Sequence, residues 1–426
     1  MFEYKKNVKK RHMSRRILHV DFNGFFASVE CFFDPSIRSF PVAVTGDPEK
    51  RHGIVLAKNQ LAKQFGVKTG EAIWEAKQKC PKLVCVAPHY DQYVRFSRLG
   101  RELYHEYSDL IEPFGLDENW VDVTGRTRCF DEAIDMANEI RERVHAEIGI
   151  TVSVGVADNK IFAKLGSDLK KPDAVSAVLP NNFREVAWRL PVGDLLMVGP
   201  STKNRLNRYG IMTIGDLARS NPAFLHAQLG KAGLTLHRFA NGLDDSPVAV
   251  AGHKREIKSV GNSTTTATDM TSDAAVSGTL HMLSESVAER LRKHKLKGTV
   301  IQIEIRDRDL VRCEKQKVLF EPTDNAGTIY SAAKALFDES WDWKNSIRSI
   351  GVRCAKVIPA DAGIQMSIFA DEEMRQKTSK LDKVIDDINR RYGKGVIASA
   401  AEAKMQKDED RAAPVGKDPF HPEDRF

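Results

Sequence analysis

Three acidic residues stand where the ends of neighbouring strands could bring them together. Asp21 follows the apolar run ILHV, and Asp117 with Glu118 occupies the turn before the strand pattern NWVDV. Mg²⁺ prefers carboxylate oxygens and fills its other positions with water and substrate phosphate. Two such ions can stabilise the attacking and the leaving oxygen of a phosphoryl displacement. The pattern is therefore compatible with nucleotidyl transfer, although acids at turns are also common as solvated caps.

The elements around these acids alternate between strand and helix. Apolar runs predict strands for ILHVDF and TVSVGVA, and helical spacing of apolar residues predicts helices for FFASVECFF and for residues 91–111. Such alternation predicts a mixed α/β sheet domain that extends to about residue 178.

The second half of the chain has a different organisation. From residue 190 two short helices are predicted around a Gly-containing hairpin, and the polar stretch GLDDSPVAVAGHKREIKSV predicts an exposed connector. A helix over 273–294 and alternating strands in GTVIQIEIRD and SIRSIGVRCAKVI follow. In VIQIEIRDRD the isoleucines fall on one face and the charges on the other. The sequence therefore predicts an α/β part followed by a smaller α+β domain.

Composition narrows the class of protein. The 426 residues carry a net charge of +7 at neutral pH and are 42% hydrophobic, which is enough for two or three cores. Residues 290–317 contain ten Lys or Arg against four Asp or Glu, so a polyanionic partner is expected. No apolar run approaches a membrane span and Asp21 interrupts any signal-peptide core, so we expect a cytoplasmic protein. Six cysteines without a C-x-x-C pair indicate reduced thiols.

Six segments of the chain resemble one family of proteins in content and in order. They are HVDFNGFFASVE, VLAKNQLAKQFGVKTG, FGLDENWVDVT, VSVGVADNKIFAKLGSDLKKPD, KSVGN and INRRYGKG. Together they resemble the Y-family translesion DNA polymerases, the bacterial DinB and UmuC group. The resemblance covers residues 15–397. It implies a right-hand polymerase with a ferredoxin-like palm, small fingers, a helix-hairpin-helix thumb and an α+β little finger.

The resemblance also implies domain boundaries. The palm is expected at 15–178 with the fingers inserted at 29–89, the thumb at 179–246, a linker at 247–256 and the little finger at 257–360. Residues 361–426 are expected to be a C-terminal tail that contains a clamp-binding peptide.

The family's metal-binding positions are matched by acids in this chain. By resemblance, Asp21, Asp117 and Glu118 are the catalytic carboxylates that hold two Mg²⁺ ions, and the backbone carbonyl of Phe22 is a further ligand. The implied reaction is DNA-directed DNA synthesis opposite damaged bases. Because no second acidic constellation is present, no proofreading exonuclease is expected.

The implied nucleotide site begins at the turn after Asp21. Phe26 matches the steric gate, an aromatic ring lying where a ribose 2′-hydroxyl would project, so the expected substrate is a deoxynucleoside triphosphate. The alternative for Phe26 is simple core packing. Asn23, Gly24 and Phe25 belong to the same substrate-binding turn as Phe22, and Lys171 matches a lysine that reaches the triphosphate.

Three positions depart from the common family pattern. Asn23 replaces the second acid of D-x-D and looks closer to the UmuC branch. On the fingers, Gln60 and Lys63 stand at i and i+3 where many relatives carry Tyr and Arg. The spacing is kept, but Lys is a point charge and Arg is a bidentate fork, so weaker nucleotide binding or turnover is expected.

The predicted DNA contacts lie in the second half of the chain. MVGPSTKNRLNRYG resembles a helix-hairpin-helix, whose backbone N–H groups contact DNA phosphates without reading sequence. Pro200 lacks an N–H and Ser201 stands where a second Gly is common, so weaker binding or a purely structural helix pair is the alternative. The resemblance places the basic strands of 290–317 on a DNA-facing sheet, and primer–template DNA is the expected partner of a monomer.

A short peptide in the tail matches bacterial sliding-clamp ligands. In QMSIF, Gln365 is followed three and four residues later by Ile368 and Phe369, an apolar pair of the kind that fills a pocket as a hot spot. The alternative is that this pair packs back onto the little finger.

Two other functions compete with the polymerase. A catalytically weak polymerase-like adaptor that binds DNA and the clamp is favoured by Gln60, Lys63 and Asn23. A metal-dependent nuclease would share the carboxylates, but the sequence places no activating His or Lys evidently beside them.

Overall fold

A computed structural model describes residues 15–47, 51, 53–253, 256–362, 381–382, 384–388, 390–393 and 396–397. The predicted clamp-binding residues Gln365, Ile368 and Phe369 lie outside this part of the chain. The chain divides into two compact units. Of the described residues, the first unit contains 15–46 and 53–253, and the second contains 47, 51 and those from 256 onward.

The first unit contains both sheet and helices. In chain order its elements are β1 (Ile17–Phe22), α1 (Phe25–Phe33), β2 (Val42–Thr45), β3 (Val55–Lys58), α2 (Gln60–Gln64), α3 (Ile73–Lys79), β4 (Val84–Val86), α4 (Tyr90–His105), β5 (Ile111–Pro113), β6 (Glu118–Asp122), α5 (Phe130–Arg143), β7 (Val152–Ala157), α6 (Lys160–Leu169), β8 (Val175–Val178), α7 (Phe183–Val186), α8 (Pro200–Arg208), α9 (Ile214–Arg219), α10 (Pro222–Leu229) and α11 (Lys231–Ala240).

The central sheet has the strand order β5-β6-β1-β7-β8. Strand β1 is antiparallel to both neighbours, whereas β7 and β8 are parallel, which gives the predicted mixed sheet. Helices cover both faces, and β1 is therefore buried along its whole length. Its alternate side chains Leu18, Val20 and Phe22 join a core with residues of α4 and α5. Ile17 joins the core of α6 on the other face, which is the face that also carries His19 and Asp21.

A small sheet of order β3-β2-β4 lies within residues 29–89, where the fingers are expected. Helix α2 ends at Gln64, and Gly66 just beyond it has a φ of 78°. Gln60 and Lys63 fall within the helix and are exposed.

The helical end of the first unit has more elements than the pattern predicted. Two helices were expected around the hairpin, and α8 and α9 are these helices. Two more, α10 and α11, follow and pack into the same core through Leu225 and Leu236. Helix α10 is short because Pro222 begins it and Gly230 ends it.

Residues 256–362 of the second unit form a four-stranded antiparallel sheet and two helices. Its elements are β9 (Ser259–Met270), α12 (Asp273–Lys293), β10 (Leu296–Asp307), β11 (Arg312–Thr323), α13 (Ala326–Ser340) and β12 (Ile347–Pro359), with the strand order β11-β10-β12-β9. Ile301, Ile303 and Ile305 are fully buried in the core that α12 and α13 share, so the predicted alternation in β10 is confirmed.

Part of the segment expected to be tail is attached to the second unit. Residues 381–382, 384–388 and 390–392 are helical. The Arg292 guanidinium donates to both carboxylate oxygens of Asp386, at 2.6 and 2.8 Å, and to the backbone oxygen of Asp324 at 2.9 Å. A bidentate contact fixes the orientation of the two side chains as well as their distance. It therefore holds this helical segment against the end of α12, which carries Arg292.

The described helices include none that is both long and apolar enough to cross a membrane.

Candidate active site

Strand pairing brings two of the predicted acids side by side. In the β1–β6 register Asp21 lies opposite Glu118, at the ends of both strands. Asp117 immediately precedes β6, and its backbone oxygen accepts a hydrogen bond of 3.1 Å from the N–H of Phe22. The turn that carries Asp117 is thus tied to the end of β1 beside Asp21. The side chains of Asp21, at the end of β1, and of Asp117, in the turn before β6, can therefore bind the same metal ion or substrate group.

Two lysines contact these acids. Lys171 Nζ lies 2.7 Å from Asp21 Oδ2 and 2.8 Å from Asp168 Oδ1. Lys164 Nζ lies 3.2 Å from Asp21 Oδ2 and 3.1 Å from Glu118 Oε2. Burial opposes the charge of both lysines, but the surrounding carboxylates outweigh burial and raise their pKa. Lys171 thus sits at the predicted site, but it pairs with Asp21.

The pKa values of the neighbouring acids Asp117 and Glu118 are shifted in opposite directions. Burial, together with the charges of Asp21 and Glu118, raises the pKa of Asp117 to about 6. Burial also acts on Glu118, yet the contact with His19 and the charge of Lys164 outweigh it and lower the pKa of Glu118. The charged form of Asp117 is therefore disfavoured, because burial and the two neighbouring carboxylates outweigh the attraction of Lys164.

His19, Asp21 and Glu118 form a group that could hold a metal ion, with one potential ligand atom from each within 4.8 Å of the others. The imidazole of His19 is fully buried, and burial lowers its pKa. Its Nε2 is 3.3 Å from Glu118 Oε2 and its Nδ1 is 2.8 Å from Ser167 Oγ. A hard cation favours the carboxylate oxygens. The neighbouring charges of Asp21 and Glu118 help to raise the pKa of Asp117, and a bound cation would offset the repulsion among these carboxylates. Both observations suit a divalent cation held by carboxylate oxygens.

Lys164, Asp168 and His19 were not predicted from the sequence. The expectation that no His or Lys stands beside the acids is therefore wrong, because strand pairing and the packing of α6 bring His19 and Lys164 against them. Alternation along β1 could have pointed to His19, because residues two apart share a face with Asp21. Lys164 and Asp168 are four apart on α6 and so share a helix face, but the sequence does not show that this face meets β1.

Asn23 has a structural role in the site. Its Oδ1 accepts from the Asp173 N–H at 2.8 Å and from the Thr151 hydroxyl at 3.0 Å, while its Nδ2 donates to Ser153 Oγ at 2.9 Å. These bonds join the end of β1 to the loop that carries Lys171. The amide therefore uses its hydrogen-bonding capacity within the protein. Asn23 thus holds the loop that contains Lys171 and Asp173 through neutral amide hydrogen bonds, without the carboxylate that is common at this position.

Gly24 occupies a position that other residues would not fit. Its φ of 54° is in the left-handed region, and a Cβ there would lie 2.8 Å from the Lys58 backbone oxygen. The end of β3, just before α2, therefore lies close to the N-terminus of α1. Gln60 and Lys63 stand on α2, one turn apart and exposed.

Phe26 is only partly buried, unlike Phe22 at the end of β1 and Phe25 at the start of α1. Phe22 and Phe25 are 2% and 3% exposed and belong to the core, whereas Phe26 packs against the outside of that core. Its ring stacks on Tyr93 with 4.1 Å between ring centroids. One face of Phe26 is therefore held by protein while part of the ring remains accessible.

The hairpin before α8 has an unusual residue. Met197 is 67% exposed and has a φ of 72°, a conformation that a side chain disfavours. Pro200 is the first residue of α8, where its missing N–H would have had no intrahelical partner. The geometry of a tight hairpin is thus retained without the expected second glycine.

The outer face of the second unit's sheet offers small and cationic side chains. Ser259, Gly261 and Ser263 of β9 pair with Ala355, Arg353 and Gly351 of β12. A Cβ on Gly261 would lie 3.0 Å from Arg353 Cβ, so the glycine leaves room for the exposed arginine. Backbone and guanidinium groups of this kind suit contact with a phosphate chain.

Comparison with known proteins agrees with this architecture. The impB/mucB/samB family matches residues 20–168, its C-terminal domain matches residues 257–368, and the thumb domain of DNA polymerase-iota matches residues 193–244. DNA polymerase IV of Acetivibrio thermocellus is 50% identical over 381 residues, or 89% of this chain and 96% of that protein. DNA polymerase IV 1 of Bacillus subtilis is 34% identical over 411 residues, or 96% of this chain and 98% of that protein.

Solved structures give the same result. A Y-family DNA polymerase chimera has a TM-score of 0.71 and 26% identity, and the match covers 81% of this chain and 99% of the chimera. A Dbh ternary complex has a TM-score of 0.55 and 27% identity, with the same coverage. The chain therefore belongs to the Y family of DNA polymerases. The predicted multidomain fold with a helix-hairpin-helix thumb is confirmed, and the names of the relatives lie on the DinB side of the predicted group.

Proposed function

We propose that this chain is a DNA-directed DNA polymerase for error-prone translesion synthesis, using two Mg²⁺ ions and no proofreading activity. The observation that carries the proposal is the pairing of Asp21 with Glu118 at the ends of β1 and β6, next to Asp117 and Lys171. Oxygen ligands concentrated in this way suit Mg²⁺. The cytoplasmic location expected from the sequence is part of the proposal.

Each residue of the site has a role in the proposal. Asp21, Asp117, Glu118 and the Phe22 carbonyl would hold the cations, which would neutralise phosphate charge during attack by the primer 3′-hydroxyl. Lys164 keeps Asp21 and Glu118 oriented through its contacts with both. Lys171, which now pairs with Asp21, would exchange that partner for the triphosphate.

The adaptor alternative loses part of its support in the structure. Asn23 was one argument for weak catalysis, yet its amide ties together the elements that carry Asp21 and Lys171. Asn23 would therefore support the site through its amide, without a carboxylate. Gln60 and Lys63 remain arguments for modest nucleotide affinity.

Primer extension tests the proposal directly. The purified chain with Mg²⁺ should extend a primer on an undamaged template and past damaged bases, and should leave a mismatched 3′ end uncut. DNA binding without extension would favour the adaptor. Degradation of either strand would favour a nuclease.

A substitution on the fingers tests the nucleotide site. Lys63→Arg should lower the KM for deoxynucleotides about threefold, because a guanidinium binds a phosphate through two parallel hydrogen bonds. Steady-state single-nucleotide insertion measures the change, and Lys68→Arg, an exposed lysine outside α2, is the matched control. An unchanged KM for Lys63→Arg would place the triphosphate away from this helix.

Partners follow from the same proposal. The relatives are DNA polymerases and one solved relative is a ternary complex, so primer–template DNA and deoxynucleoside triphosphates are the proposed substrates of a monomeric enzyme. The basic strands around β10 and the thumb hairpin would contact the DNA backbone. Such contacts give binding that weakens steeply as salt concentration rises.

The clamp-binding peptide remains a prediction from sequence. Changing Gln365 and Phe369 together to alanine should leave extension without the clamp nearly unchanged and abolish its stimulation by the bacterial sliding clamp. Tethering raises the effective concentration of polymerase at the primer end, and the apolar anchor is lost in this variant. Primer extension with and without loaded clamp measures the effect. Equal stimulation of variant and parent would show that the segment has another role.

A further inference from the structure

The aromatic residue proposed to select the sugar has a buried support behind it. The rings of Phe26 and Tyr93 are stacked, with 4.1 Å between centroids and 9° between planes. Tyr93 is fully buried, and Tyr90 meets Phe26 edge-on at 5.9 Å. Close-packed side chains transmit displacement to their neighbours. Phe26 therefore cannot retreat toward α4 unless Tyr93 also moves.

Tyr93 is itself held by hydrogen bonds at its far end. Its hydroxyl donates to the carboxylate of Glu30 and accepts a hydrogen bond of 3.1 Å from the backbone N–H of His89. The imidazole Nδ1 of His89 lies 2.9 Å from Glu30 Oε2. Burial and the Glu30 carboxylate raise the pKa of Tyr93, so its hydroxyl remains a donor.

The Glu30 carboxylate is buried, which costs free energy. Glu30 is 7% exposed, and a buried charge costs free energy unless hydrogen bonds compensate for it. Packing alone would be served by an apolar side chain. Phe26 and Glu30 are four residues apart on α1, so they share one helix face and reach the ring and the hydroxyl of the same tyrosine. This arrangement fixes the plane of Tyr93 relative to α1.

We propose that Glu30 is a positioning residue for sugar selection. Through the Tyr93 hydroxyl it holds the Tyr93 ring parallel to Phe26, and thereby keeps Phe26 where a ribose 2′-hydroxyl would project. The inference rests on the proposed role of Phe26 as the sugar gate. Glu30 does not touch the nucleotide, so its effect appears in discrimination between sugars and not in the chemistry of insertion.

Two substitutions remove the hydrogen bond from opposite ends. Glu30→Met keeps side-chain length without an acceptor, and Tyr93→Phe keeps the ring without the hydroxyl. In each, the ratio of kcat/KM for a deoxynucleotide to that for the matching ribonucleotide should fall roughly three- to tenfold, because one hydrogen bond to a charged group no longer restrains the ring. The kcat/KM for the deoxynucleotide itself should change little. Glu30→Gln retains an acceptor oxygen and should recover most of the parent ratio.

A second tyrosine supplies the matched control. Tyr107 lies in the same core, and its hydroxyl donates to Glu139 at 2.7 Å. Its ring contacts the Arg143 guanidinium. Tyr107→Phe therefore loses a comparable hydrogen bond to a glutamate, and it should lower Tm while leaving the sugar ratio at the parent value.

The reference variant Phe26→Ala separates the two levels of the proposal. If it loses discrimination while Glu30→Met and Tyr93→Phe keep it, the positioning role is wrong and the gate remains. If Phe26→Ala also keeps the parent ratio, the gate itself is wrong and the inference fails with it. A reduced ratio in Tyr107→Phe, equal to that of Tyr93→Phe, would show only a general loss of stability and would overturn the inference.

Discussion

Asp117→Asn should abolish most nucleotide insertion and at the same time stabilise the metal-free protein. We expect insertion to fall on the order of 10³-fold, because cations held by these carboxylates supply several kcal/mol of transition-state stabilisation. DNA binding should persist, since it depends on the phosphate-contacting surfaces. Single-turnover insertion and a DNA titration at one salt concentration measure both. Near-parent insertion would remove Asp117 from the metal site.

The stability gain follows from the raised pKa of Asp117, about 6 in the folded chain. Near neutral pH its carboxylate is charged in both states and is disfavoured in the folded one. Asparagine should therefore add about 1–2 kcal/mol after solvent screening. As pH falls through about 6 the folded state takes up a proton, and the gain should disappear below about pH 4, where both states are protonated. Thermal unfolding in EDTA across this range measures the effect.

Glu118→Gln provides the contrasting case. Lys164 and His19 lower the pKa of Glu118, so its charge favours the folded chain above the unfolded pKa and ceases to do so as pH falls through the folded one. Glu118→Gln should lose insertion as Asp117→Asn does, but should lower Tm in EDTA. Asp135→Asn, on the exposed face of α5, is the control for both and should change neither quantity.

The sequence predicted the elements that are marked by local pattern. Strand β1 could be recognised from ILHVDF and helix α1 from FFASVECFF, because apolar periodicity and turn residues lie within a few positions of each other. The convergence of Asp21 with Glu118 could be predicted only as a possibility, since periodicity shows which face a residue takes but not which strand lies beside it. The family resemblance predicted that Asp21 and Glu118 belong to one site.

Interactions across distant elements escaped prediction for the same reason. Lys164 contacts Asp21 although 143 positions separate them, and Tyr93 contacts Glu30 across 63. A lysine on a helix is usually a solvated charge, so nothing local distinguishes Lys164. Helix α13 was also missed, because its mixture of apolar and polar residues lies between strands whose alternation is much clearer. Tertiary contact decided each of these cases.

Phe26→Ala should weaken discrimination against ribonucleotides by about 10- to 100-fold, because forcing a 2′-hydroxyl against a close-packed ring costs about 1–3 kcal/mol and alanine removes that clash. The structure separates this role from simple core packing. Phe22 and Phe25 fill the core, while Phe26 keeps part of its ring accessible and has its other face stacked on Tyr93. Deoxynucleotide insertion has no 2′-hydroxyl to clash, so its efficiency should change much less.

The measurement is the ratio of kcat/KM for the deoxy and ribo forms of one nucleotide opposite its complementary template base. Phe33→Ala, on the same helix and 49% exposed, controls for loss of an aromatic ring from α1 and should keep the parent ratio. A general loosening of the site would lower both efficiencies together and leave their ratio unchanged. An unchanged ratio in Phe26→Ala would assign the ring to packing, whereas a selective gain for the ribonucleotide identifies it as the sugar gate.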